Sequence, residues 1–101
     1  MIESNHKESR KKAREFIEAF ERGIGRADFD QLFTLYEEAV KKAEEYKHYP
    51  HYLIALVRSP WRLRDIIPGY YDNHKQIRQL MVTVYGEEQT KAFLVGIEPT
   101  T

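Results

Sequence analysis

At 101 residues, with no cysteine and with 16 basic side chains balanced by 16 acidic ones, the chain is long enough to bury a core of its own. It has no disulfide framework, no thiolate metal site and no cysteine nucleophile. Zero net charge removes the pervasive positive field of a general polyanion binder, and no segment approaches the length of a membrane span.

The first twelve residues, MIESNHKESRKK, hold no apolar run of the secretory kind, so a cytoplasmic location is expected. The charge is unevenly spread: residues 1–26 carry +2, residues 27–47 carry −3 and residues 58–79 carry +3. Such a dipolar surface suits partner docking or self-association.

Asn5 with Glu8 marks a helix start. Ala13, Phe16, Ile17, Phe20 and Ile24 then trace one apolar stripe, which Gly23 and Gly25 are expected to end. Lys7, Arg10, Lys11 and Arg14 project together on the opposite face, as a solvated end or a stripe for an acidic partner.

The longest unbroken period runs from Asp28 to Lys47. Phe29, Leu32, Phe33, Tyr36, Ala39, Val40, Ala43 and Tyr46 recur at steps of three and four. Asp28 with Gln31 resembles a capping box, and Glu37 with Lys41 and Glu38 with Lys42 form favourable i, i+4 pairs. This segment is expected to be the central helix against which the others pack.

Pro50 suits a first helical position, and the run Tyr52 to Val57, apolar on every side, is expected to be a short buried helix rather than a strand without a partner. Ser59 and Pro60 repeat the start signal, as a cap followed by proline. After a turn at PGYYD, Asn73 with Gln76 opens a further helix with Ile77, Leu80, Met81 and Val84 inward, closed by Gly86. Glu87 and Glu88 begin a last helix, in which Ala92 to Val95 leave little polar face. The tail from Ile97 to Thr101 is expected to be loose. The fold class expected is therefore all-α: residues 1–101 as one domain, a small bundle of four longer helices with one or two short ones between the second and fourth.

Signals for chemistry are sparse. Glu3 with His6 and Glu45 with His48 have the i, i+3 spacing of di-metal bundles, but the lone inward glutamates such a site also needs are missing, and Glu45 and His48 project away from the apolar arc. His51 near His48 could hold only a stray metal. Ser4, Ser9 and Ser59 stand in no recognisable catalytic pattern, and there is no glycine-rich phosphate loop. No catalytic residue, metal or cofactor is assigned.

Two binding signals remain. Residues 60–85 resemble the outline of a helix-turn-helix unit. There Asn73, Lys75, Gln76, Arg78 and Gln79 would read base edges and phosphates, and Arg58, Arg62 and Arg64 would contact the backbone. Tyr46, Tyr49, Tyr52, Tyr70 and Tyr71 cluster at the two breaks beside the short helices with Trp61 between them, and tyrosine supplies contact area with a wet end. The favoured expectation is a non-enzymatic, self-associating interaction or adaptor protein. It would present Tyr46, Tyr49, Tyr52, Arg58, Trp61, Arg62, Arg64, Tyr70 and Tyr71 to a protein partner or to a second copy. A DNA-binding regulator is the alternative.

Overall fold

The structure, a computed structural model, describes residues 2–97, with side chains from Asn5 onward. The side chains of Glu3 and Ser4 and most of the tail lie outside the described residues. Five α-helices follow in order: α1 (Ile2–Gly25), α2 (Phe29–Lys41), α3 (Pro50–Arg58), α4 (Tyr70–Tyr85) and α5 (Glu87–Phe93), with a 3₁₀ helix (Ser59–Leu63) after α3. No strand occurs among the described residues, and the all-α expectation holds. The helices form a slab of 37 × 35 × 21 Å, two helix diameters thick.

The buried face of α1 reads Ser9, Ala13, Phe16, Phe20 and Gly23, at steps of four, three, four and three. Ile17, expected on the stripe, sits at its margin and is 37% exposed. The helix ends at Gly25, as expected, but not at Gly23. It passes through Gly23, whose missing side chain lets Leu32 of α2 approach so closely that a Cβ would stand 2.5 Å from Leu32 Cδ2. The stop is Ala27 at φ 55. Asp28 N–H donates to Gly23 C=O at 3.2 Å and Ala27 N–H to Ile24 C=O at 3.0 Å. Those are the two bonds of a Schellman ending, with alanine in the left-handed position where glycine is usual.

Asp28 caps α2, its Oδ1 accepting from Gln31 N–H at 3.2 Å. Leu32, Tyr36 and Ala39 are buried from α2, whereas Phe29 is 42% exposed. The helix ends at Lys41, six residues before the period does. Residues 42–48 run on as tight turns, with Ala43 N–H bonded to Val40 C=O and Tyr49 N–H to Tyr46 C=O. With Tyr46 N–H bonded to Lys42 C=O, these turns of three and four residues keep Ala43 and Tyr46 on the core side, so the apolar spacing outlasts the α-helix. Tyr49, held at φ −109 and ψ 87 by the proline after it, makes the break. Of the two expected i, i+4 pairs, Glu37–Lys41 forms at 3.8 Å, while Lys42 lies past the helix end.

The hub is α3, not α2. It packs against α1, α2, α4 and the 3₁₀ helix, and α1 on α3 is the most extensive pairing. Its buried Tyr52, Leu53, Ala55, Leu56 and Val57 fit the run that is apolar on every side. A short helix does start at Ser59 with proline in its first turn, but it is a 3₁₀ helix that follows α3 without a break, and its cap position is Arg58 rather than Ser59. The backbone continues helical through Arg58 and Ser59, and Pro60, with no N–H to donate back, tightens the path into a 3₁₀ turn. α4 also starts three residues early, at Tyr70, on a left-handed Gly69 with φ 71. Gly86 closes it as expected, its N–H bonded to Val82 C=O. α5 is short, and Leu94 beyond it is buried while Val95 is 67% exposed.

Candidate interaction surfaces

Burial divides the expected partner residues into two groups. Tyr52 and Tyr70 are 5% and 1% exposed, and their hydroxyls donate to Ala39 C=O at 2.8 Å and Val57 C=O at 2.9 Å. Burial pushes both phenols well above the usual tyrosine range, so they are neutral donors inside the core. They cannot offer a ring to a partner, which corrects the expectation for these two. The cause is register: each sits in the first turn of a helix whose inner face it joins.

The arginines are engaged within the chain. Arg58 donates to Phe93 C=O at 3.3 Å and Val95 C=O at 2.6 Å, holding the carbonyl end of α5. Arg62 pairs with Glu21 of α1, and Arg78 with Glu87 at 2.7 Å. Arg64 lies over the Trp61 ring at 4.4 Å and donates to Trp61 C=O at 2.9 Å. Trp61, half-buried, meets Tyr70 and His74 edge-on. Tyr71 is 52% exposed and donates to Asp65 at 3.0 Å, which raises its pKa.

The helix-turn-helix outline is not the geometry formed. Its first member is a five-residue 3₁₀ helix and six residues separate it from α4, more than the three or four of that motif. Along α4, Asn73 is half-buried beside Tyr36, Lys75 faces solvent, and Gln76 and Gln79 border a groove.

That groove, of about 440 Å³, separates the end of α2 from α4. Val40 and Ala43 form one side and Ile77, Leu80 and Val84 the other. Along its edges Lys47 is paired with Glu44 at 3.0 Å, and the Thr83 hydroxyl donates to Gln79 C=O at 2.9 Å. Two aliphatic walls thus stand beneath a rim whose charges cancel.

A second arrangement was not readable from spacing. Ser9 Oγ accepts from His51 N–H at 2.9 Å and lies 2.8 Å from His51 Nδ1, while His6 meets the His51 ring edge-on at 5.4 Å. We assign the serine hydrogen to Nδ1, which leaves the imidazole neutral with its own proton on Nε2. Ser9 is 1% exposed, so it locks α1 to the start of α3 rather than serving as a nucleophile. Ser9 falls on the buried α1 register four residues before Ala13, and a hydroxyl on an apolar stripe was the one available signal.

Burial, then repulsion from Arg10 and His6, lowers the His51 pKa below the ordinary 6.5. Well above pH 6.5 both folded and unfolded His51 are neutral and add no pH dependence to stability. Below it the unfolded imidazole takes a proton that the folded one refuses, so stability falls until pH drops under the folded pKa. Thermal melts across this range are expected to show that decline, and His51→Asn is expected to flatten it.

Among the described residues no three potential metal ligands come together, and no helix is long and apolar enough to cross a membrane. No protein-family model, curated protein or solved structure matches the chain, so its surfaces are read from their own geometry.

Proposed function

We propose that this is a non-enzymatic interaction protein that associates with a second copy of itself through the α2–α4 groove. The observation carrying this reading is the groove itself, aliphatic within and charge-balanced at its rim. A two-fold interface sets a patch against its own image, so a rim of one sign would repel itself. Here Glu44 and Lys47 cancel each other, and Gln76 and Gln79 are amides that both donate and accept. The zero net charge of the chain adds no long-range repulsion between copies. The α4 ridge of one copy then enters the groove of the other, as an amphipathic helix enters an apolar slot.

The nucleic-acid reading of the same helix has less support. Gln76 and Gln79 border the groove, and Arg58, Arg62, Arg64 and Arg78 all bond to protein groups.

Sedimentation over a concentration series tests the proposal. Wild type is expected to approach twice the 12.0 kDa of one chain. Leu80→Glu places a carboxylate in the slot and is expected to weaken association on the order of a hundredfold, the effect of stranding a buried charge. Gln79→Arg, on an exposed position, is expected to weaken it without risk to the fold. A monomer at the highest concentrations, or a dimer indifferent to both changes, overturns the reading.

A further inference from the structure

Lys12 has an unusual station. No ion pair holds it among the described residues, although Glu15 follows it by three positions on α1. Its ammonium instead lies 4.3 Å from the centre of the Tyr46 ring and 5.4 Å from that of Tyr49. The rings are set before any cation arrives. Tyr46 stands perpendicular to Tyr52 at 5.1 Å, and Tyr52 is anchored through its hydroxyl to Ala39 C=O. The Tyr49 ring meets Tyr46 edge-on at 5.9 Å, on a backbone that Pro50 restricts.

Lys12 does not use up the space beside it. It lines a cleft of about 220 Å³ on the α1 side of α2, together with Tyr46, buried Phe16 and Tyr52, the carboxylate-bearing Glu15 and Glu38, and a second cation, Lys42; Tyr49 stands beside the Lys12 ammonium, outside that lining. Aromatic faces, an apolar floor and carboxylates in the lining suit a weakly hydrated organic cation. The rings attract its charge, the floor takes its methyl groups, and Glu15 and Glu38 offset the charges of Lys12 and Lys42.

We propose that this cleft binds an organic ammonium group, the quaternary trimethylammonium of a choline-like molecule or of a methylated lysine side chain, and that Lys12 is its resident stand-in. A primary ammonium is more strongly hydrated than a quaternary one and holds the rings less firmly. The flexible Lys12 stem swings out when the ligand enters, because two cations cannot share the Tyr46 face. Lys12 thereby sets the affinity by competing from within the chain. This site does not depend on the α2–α4 groove.

The test follows Tyr46 and Tyr49 ring resonances while choline chloride is titrated against sodium chloride of equal ionic strength. Choline-specific shifts of both rings are expected in wild type. Lys12→Ala is expected to bind on the order of tenfold more tightly, since the internal cation no longer has to be displaced. Tyr49→Leu in the Lys12→Ala background, checked for intact helicity, is expected to lose most of that affinity. A peptide carrying trimethyllysine, compared with choline and with its unmethylated form, separates the two sources of the group. The proposal is overturned if neither wild type nor Lys12→Ala shows choline-specific shifts, if Lys12→Ala binds no more tightly than wild type, or if Tyr49→Leu leaves affinity unchanged.

Discussion

Phe20→Ala is expected to lower the unfolding free energy by about 3–5 kcal/mol, the range for emptying a fully buried aromatic site. Phe20 is 0% exposed and stacks on Phe16 at 5.6 Å, on the face of the helix that makes the most extensive pairing in the fold. A domain of this size holds only about 5–15 kcal/mol in total, so the variant should sit near the edge of stability at physiological temperature. Denaturant unfolding measures the effect directly. Ile17→Ala is the control, because Ile17 lies at the stripe margin and should lose far less. Equal losses at the two positions would mean that α1 is not seated as described.

Tyr36→Phe and Tyr70→Phe are expected to move stability in opposite directions, although the rings stack on each other at 5.8 Å and both are 1% exposed. The Tyr70 hydroxyl donates to Val57 C=O, and deleting it should cost about 1–2 kcal/mol. The Tyr36 hydroxyl is buried beside the Asn73 side chain, yet no hydrogen bond of regular geometry forms there. Removing it relieves a desolvated polar group, with an expected gain of about 1 kcal/mol. Tyr52→Phe falls between them, because Ala39 C=O also accepts from Lys42 N–H at 3.1 Å and keeps a partner. The sign at Tyr36 is the decisive reading. A clear loss there would show that its hydroxyl is satisfied after all.

The buried stripe of α1, the cap at Asp28, the proline at the start of α3 and the glycine closing α4 were all legible in the sequence, because each is a local effect. The misplaced ends have local causes of another kind. Successive turns of three and four residues imitate the helical period closely enough to hide the end of α2 at Lys41. Pro60 opens a 3₁₀ helix that continues α3 directly, because Arg58 and Ser59 keep helical backbone between the two. Ala27 takes a left-handed position that its residue type does not advertise.

The surfaces were less legible. Tyr46, Tyr49, Tyr52, Tyr70 and Tyr71 look alike in sequence as aromatics beside breaks. Packing sends Tyr52 and Tyr70 inward, leaves Tyr71 exposed, and puts a lysine from a helix more than thirty positions away against Tyr46 and Tyr49. The arginine surplus of residues 58–79 counted charges without their partners. Glu21 and the backbone carbonyls of Phe93 and Val95 reach those side chains across 35 or more positions.

The amino-acid order by itself determined that this chain is helical, where most of its helices lie and which stripes they bury, since period, caps and prolines act within a few residues. Only the tertiary structure decided that the nine-residue α3 is the hub, that Ser9 and His51 meet, and that Lys12 rests on tyrosine rings. Those outcomes depend on how faces are apportioned among several neighbours at once. A hydrophobic period shows that a face must be covered; it carries no record of which distant segment covers it.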